Sequence, residues 1–133
     1  MDRLFLDACI LFSAAYTPVS PLRKLWKLSD ATLLASEFVI EEARRNLAAL
    51  RPERLDDLRR LARGLELVAA IVTTIPPEAK RLPDKNLPVL LAAVAGRATH
   101  LLTVDKKHFG PLFGKTVGPV IILPPGEYLR RRA

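Results

Sequence analysis

Two aspartates stand where short apolar runs break off: Asp7 after Leu4-Phe5-Leu6, and Asp105 after Leu101-Leu102-Thr103-Val104. If the two runs are neighbouring parallel strands, both carboxylates arrive at one edge of the sheet. Open α/β sheets hold their ligands beyond that edge, past the carboxyl ends of the strands. A third carboxylate comes from a helix. Ser36 is placed to cap EFVIEEARRNLAAL, in which Val39, Ala43, Leu47 and Leu50 recur at helical spacing. At about 100° per residue, Glu42 lies about 90° from the centre of that stripe and Glu41 nearly opposite it. Glu42 is therefore expected at the rim of the buried face, with Asn46 beside it within the stripe, and Glu41 in water.

Acids gathered at one edge repel one another unless a proton or a cation neutralises them. Hard divalent ions, Mg²⁺ or Mn²⁺, suit all-oxygen sites and keep several waters for substrate phosphates to displace. The chemistry this predicts is metal-assisted hydrolysis of a phosphodiester, in which the ion lowers the pKa of a water and stabilises charge on the phosphorus. The bland reading of each aspartate is a cap or turn residue.

The rest of the chain has to position these groups. Its 133 residues make one domain by length, and a hydrophobic share of 50% is too high for a disordered chain. Apolar runs at Leu4–Leu6, in ATLLAS, AAIVTTIPP, THLLTVD and VIILPP read as strands, and they alternate with helices. Ile10 to Tyr16 is one helix, and Leu22, Leu25 and Leu28 mark a short amphipathic piece after two prolines. Another helix, ERLDDLRRLARGLELV, follows Pro52 with Leu55, Leu58, Leu61 and Leu65 on one face and near-cancelling charges in solvent. Asn86 opens LPVLLAAVAGRA with Pro88 in its first turn; being apolar nearly all round, that helix is expected at the centre. The alternation predicts a three-layer α/β/α sandwich around a mainly parallel sheet of four or five strands, a single domain over 1–129 with a mobile basic tail at 130–133.

Charge and cysteine usage bound the function. Twenty-one Lys and Arg against fourteen Asp and Glu give +7, which favours polyanionic partners. A single cysteine, Cys9, excludes an intrachain disulfide framework and a thiolate zinc cluster. Cys9 reads as a small buried apolar residue whose neighbouring acid raises the thiol pKa. No apolar run is long enough to cross a bilayer, and Asp7 interrupts the one stretch resembling a leader, so a cytoplasmic protein is expected, with no membrane partner. Arg44, Arg45, Lys106, Lys107 and Lys115 flank the acids in sequence and are candidates to track a phosphate backbone. His108 is a candidate for phosphate contact and otherwise a surface residue; His100 reads as structural. Tyr16, Leu22, Leu25 and Trp26 read as core. Eight aromatics make no evident stacking platform for bases, so backbone and shape recognition is expected. A receiver-like phosphoacceptor domain also gathers acids at strand ends, but no mid-chain strand here ends in one.

The blocks FLDACILFSAAY, SEFVIEEARRNL and DKNLPVLLAAVAGRATHLLTVDKKHF, in this order over most of the chain, resemble the PIN domains. Asp7-Ala8-Cys9 matches the family's strand-ending acid and the two positions after it; Ser36 with Glu42 matches its serine-led helix with an inward acid. Thr103, Asp105 and Phe109 match its last block. The resemblance implies a compact α/β/α fold and a metal-dependent ribonuclease, of the kind found as the VapC-like toxin of a toxin–antitoxin pair. It implies Mg²⁺ or Mn²⁺ on Asp7, Glu42 and Asp105, a supporting hydroxyl from Thr103, RNA as substrate, an antitoxin protein as partner and a homodimer. One position departs from the pattern. The family's third acid falls on Asn86 in KNLPVL, where a carbonyl oxygen remains and a charge is lost. Asp84 stands two residues earlier as a possible substitute. Asn86 is also a good helix cap. The second function class is therefore a PIN-fold RNA-binding or scaffold protein with weakened catalysis.

Overall fold

The computed structural model describes residues 1–69, 77, 82–83 and 86–132. Leu4, Phe5 and Leu6 have no solvent exposure at all, so β1 (Asp2–Leu6) is covered on both faces, as a continuous apolar run in a parallel sheet requires. It pairs in parallel with β2 (Ala31–Ala35), Leu4 opposite Leu33, and on its other side with β4 (His100–Leu102), Phe5 opposite Leu101. Beyond β4 lies β6 (Val120–Leu123), again parallel. Helices α1 (Ala8–Tyr16), α2 (Glu37–Leu50), α3 (Leu55–Ala62) and α4 (Leu87–Ala95) flank this sheet. The predicted α/β architecture is the observed one.

The strand count differs. Two further strands of two residues each, β3 (Glu66–Leu67) and β5 (Thr116–Val117), complete a six-stranded sheet in the order β3-β2-β1-β4-β6-β5. Neither is long enough to show an alternation in sequence. The first is parallel to β2, and the second returns antiparallel to β6 through Gly118-Pro119. Gly118 has φ 57°, the left-handed conformation that a two-residue hairpin loop asks of its first position. The helix predicted to run on after Pro52 stops at Ala62, because Gly64 and the short β3 turn the chain back to the sheet. The strand expected over 69–77 falls almost wholly outside the described residues, as does Asp84.

Three expectations about solvent exposure are corrected. In α4 only Val89, Leu90 and Ala93 are buried, so the helix offers one face to the core and is not enclosed. The charges of α3 are not all solvated: Asp57 is buried, accepting from Arg23 at 2.8 Å and Arg60 at 3.0 Å, with Arg54 at 3.6 Å. Arg130, Arg131 and Arg132, read as a tail, form the last turn of α6 (Pro125–Arg132). Buried Tyr128 anchors that helix with a 2.6 Å hydrogen bond to Asp2, and Arg132 pairs with Asp2 and Asp30. Trp26 packs against the core as expected and donates its indole N–H to the Leu61 carbonyl at 2.9 Å.

Asp57 carries a stability prediction. The hydrogen bond from Arg23 holds its carboxyl below the ordinary value, against the opposing effect of burial, with the charges of Arg23, Arg54 and Arg60 adding. A depressed carboxyl stabilises the fold above the unfolded pKa and loses that contribution as pH falls through the folded one. Asp57→Asn is expected to cost about 1.5 kcal/mol at neutral pH, the low end for charged hydrogen bonds because the arginines keep one side in solvent. Urea melts at pH 7 and in acid check it: the gap between wild type and variant should close in acid.

Candidate functional site

The chain leaves β1 for β2 on one side and later returns to place β4 on the other, so a crevice opens beyond the carboxyl ends of β1 and β4. Asp7 and Asp105 sit at its mouth. Each does what the bland reading predicted. Asp7 caps α1, accepting from the Ala8 N–H at 2.8 Å, and Asp105 caps α5 (Lys106–Phe109), accepting from the His108 N–H at 3.1 Å. Capping consumes part of each carboxylate, and both still line a common pocket. Its walls are Asp7, Ala8, Cys9, Phe12, Glu42, Asn46, Asn86, Val89 and Asp105, around a volume of about 270 Å³. The four positions singled out in sequence, Asp7, Glu42, Asn86 and Asp105, are thus brought to one cavity by four different elements.

Thr103 is the hub beneath it. Fully buried, it donates its hydroxyl to Asp7 Oδ2 at 2.7 Å and accepts from the Asp105 N–H at 3.1 Å. One hydroxyl thereby sets the position of both acids. Burial pushes the Asp7 carboxyl above its ordinary value; the hydrogen bonds from Thr103, Ala8 and Cys9 oppose this, and the charge of Asp105 adds to it. Among the described residues no cationic side chain pairs with Asp7. Cys9 is half-buried and lines the pocket, which corrects its reading as wholly buried. Its thiol is pushed up to about 11, by burial first and by Asp7 second, so it stays protonated and is no nucleophile.

The other predicted residues divide. Glu42 is exposed on the pocket wall, while Glu41 faces away and binds Arg44 at 2.5 Å and Arg45 at 3.5 Å. Asn46 is exposed beside Glu42, one turn on, and so stands outside the buried stripe in which it was expected. Asn86 does not cap α4 with its side chain. It turns its amide N–H toward Asp105 Oδ2 at 3.5 Å and leaves Oδ1 buried with no partner among the described residues. Arg44 does not flank the acids; it lines a separate apolar groove with Ile40, Leu55 and Leu58. Lys106 and Lys107 are exposed on α5 directly after Asp105, Arg45 is exposed on α2, and Lys115 lies toward the far edge of the sheet before β5.

Sequence reasoning missed a pairing and a wall. His108 Nδ1 is 2.9 Å from Asp105 Oδ2, so the imidazole and the backbone N–H of one residue hold both oxygens of that carboxylate. The three-residue offset from Asp105 is the only sequence signal for it. Phe12 falls on the same side of α1 as Cys9, also three residues on, and makes part of the apolar wall. His100 is structural as expected: it packs edge-on to Tyr128 at 4.9 Å, and burial lowers its pKa.

Oxygen donors dominate the polar lining, and a buried carboxylate with no cationic partner is where a cation fits. The residues suit a hard divalent ion held by one or two carboxylates, Asp7 and Asp105, with its waters retained and Glu42 at the rim. They do not form a cage: among the described residues no three His, Cys, Asp or Glu side chains stand together as a ready-made ligand group.

Comparison with known proteins places the fold. No family model matches the chain, and no curated protein does. Solved structures do. VapBC2 from Rickettsia felis, bound to a DNA fragment from their promoter, superposes with a TM-score of 0.69 at 17% identity, covering 92% of this chain and 98% of that one. VapBC-1 from nontypeable Haemophilus influenzae gives 0.62 at 12% identity, over 93% and 98%. FitAcB from Neisseria gonorrhoeae gives 0.57 at 15%, over 92% and 98%. At these identities the likeness is one of fold, and the fold is PIN-like.

Proposed function

We propose, from a PIN-like fold that closes on an acidic pocket, that this chain is a metal-dependent endoribonuclease and the toxin of a cytoplasmic toxin–antitoxin pair. The observation that carries the reading is the convergence of Asp7 and Asp105 with Glu42 and Asn86 on one cavity at the switch point of the sheet. Its resemblance to structures of VapBC complexes supports an antitoxin partner, and the sequence resemblance supports a homodimer.

A Mg²⁺ or Mn²⁺ ion at the pocket would supply an activated water and neutralise charge on the phosphate. The chain's own residues prepare the place. Thr103 and the Ala8 N–H fix the Asp7 carboxylate, and His108 fixes Asp105, so neither acid needs to reorganise when a strand arrives. Glu42, at the solvent edge, is placed to take a proton from an incoming water and pass it outward. Lys106, Lys107 and Arg45 stand free of the cavity to meet the RNA backbone.

Asn86 favours a second reading, a PIN-fold RNA-binding protein with weak catalysis, because the neutral amide removes one charge from the ion's surroundings. Incubating a labelled single-stranded RNA with the protein and Mn²⁺ separates the two. Cleavage that stops on adding EDTA supports the nuclease; binding with no cleavage supports the second reading. Within the nuclease reading, His108→Ala is expected to slow cleavage about tenfold by freeing the Asp105 carboxylate, with His108→Asn, which can still donate to it, restoring most of the rate. Single-turnover rates check this.

A further inference from the structure

We propose that the wall of the acidic pocket shared by α1 and α2 is a nucleobase subsite, in which Phe12 stacks on one unpaired base of the RNA and the Asn46 amide hydrogen-bonds that base's edge. The inference rests on the ribonuclease reading and assigns what that reading leaves open, how the strand is held beside the acids.

The pocket wall is the first observation. Among the described residues its lining holds no Lys or Arg, and Phe12, Val89 and Ala8 give it an apolar wall. An apolar wall with one or two convergent polar groups is the usual make-up of a site for a flat, partly polar ligand. Asn46 is such a group. It is exposed, four residues from Glu42 on the open side of α2, and its amide has no hydrogen-bond partner among the described residues. An amide both donates and accepts, which is what a Watson–Crick edge requires.

The second observation is the aromatic run beside that wall. On α1 the ring of Tyr16 follows that of Phe12 by one turn, with centroids 5.4 Å apart and planes tilted by 49°. At the end of α2 the guanidinium of Arg51 lies over the Tyr16 ring, 4.7 Å from its centre. The two helices therefore adjoin at the pocket, through Phe12 and Asn46, and again at Tyr16 and Arg51, about 6 Å further along. Sequence-specific proteins hold single-stranded RNA in this way, on aromatic and guanidinium planes with the base edges exposed to polar side chains.

The test walks a single abasic site along a fluorescent RNA of about a dozen nucleotides and measures affinity by anisotropy in EDTA, which keeps the strand intact. One position is expected to lose about tenfold in affinity when its base is removed. Phe12→Leu should flatten that profile and Phe12→Trp should keep it. Asn46→Ala, at an exposed site where folding is not at risk, should weaken binding of the intact strand and leave the abasic strand unchanged. A flat profile in the wild type, or one that survives Phe12→Leu, overturns the subsite and leaves the aromatic wall to a protein segment. Bound RNA with a flat profile sinks this inference alone, whereas failure to bind any RNA both in EDTA and with Ca²⁺ added sinks the ribonuclease reading with it.

Discussion

Asp7→Asn is expected to reduce RNA cleavage roughly 10²–10³-fold and, in metal-free buffer at neutral pH, to make the protein more stable. Both effects have one cause. Burial and the charge of Asp105 raise the Asp7 carboxyl above its ordinary value, so the folded chain holds that proton more tightly than the unfolded chain. Once pH rises past the unfolded carboxyl, ionisation costs folding free energy, and the cost grows until the raised folded pKa is passed. The neutral amide removes it. Asparagine also keeps the structural duties of the position: it caps a helix as well as aspartate does, its oxygen can still accept from the Ala8 N–H, and the Thr103 hydroxyl can rotate to accept from its nitrogen. The melting temperature should therefore rise by roughly 2–8 °C at pH 7, the usual size of a single stabilising substitution, and by less toward pH 4. Calorimetry of both proteins in EDTA across that range checks it. A lower melting temperature for the variant at neutral pH would show that the carboxylate is there to hold the fold and not to meet a cation.

What could be read from the chain was whatever a charge at the end of an apolar run makes visible. Leu4-Phe5-Leu6 and Leu101-Leu102 are buried on both sides, so the first acids after them mark the sheet edge, and Asp7 and Asp105 are found there. Helix phase sufficed to separate Glu42, on the pocket, from Glu41, tied to Arg44. The same phase misplaced Asn46, because the open side of α2 is decided by how α1 lies against it. Local pattern is silent on what needs the third dimension. The burial of Asp57 depends on Arg23, thirty-four positions away in the chain. β3 and β5 exist because longer strands offer them partners, and two residues cannot announce a strand. Asn86 is the instructive miss: its type suits a helix cap, but its side chain turns Nδ2 toward Asp105 and its oxygen caps nothing in α4.

That orientation makes Asn86→Asp the most informative substitution. In the wild type the Asn86 N–H points toward Asp105 Oδ2 at 3.5 Å, a weak attraction that steadies the carboxylate without adding charge. Aspartate reverses it, setting a buried carboxylate against the half-buried Asp105, where Asn86 now keeps an oxygen with no partner among the described residues. Without metal this repulsion should destabilise the fold by about 1–3 kcal/mol. With Mn²⁺ the sign changes, because the same two carboxylates flank a cation and the ion's binding energy is added to folding. Mn²⁺ affinity is expected to rise about tenfold or more, and cleavage with it. The clearest readout is the difference in melting temperature with and without Mn²⁺, which should be wider in Asn86→Asp than in the wild type whether or not any RNA is cut. Equal differences would mean that the cation does not sit beside residue 86, and that a neutral amide there is no handicap to this protein.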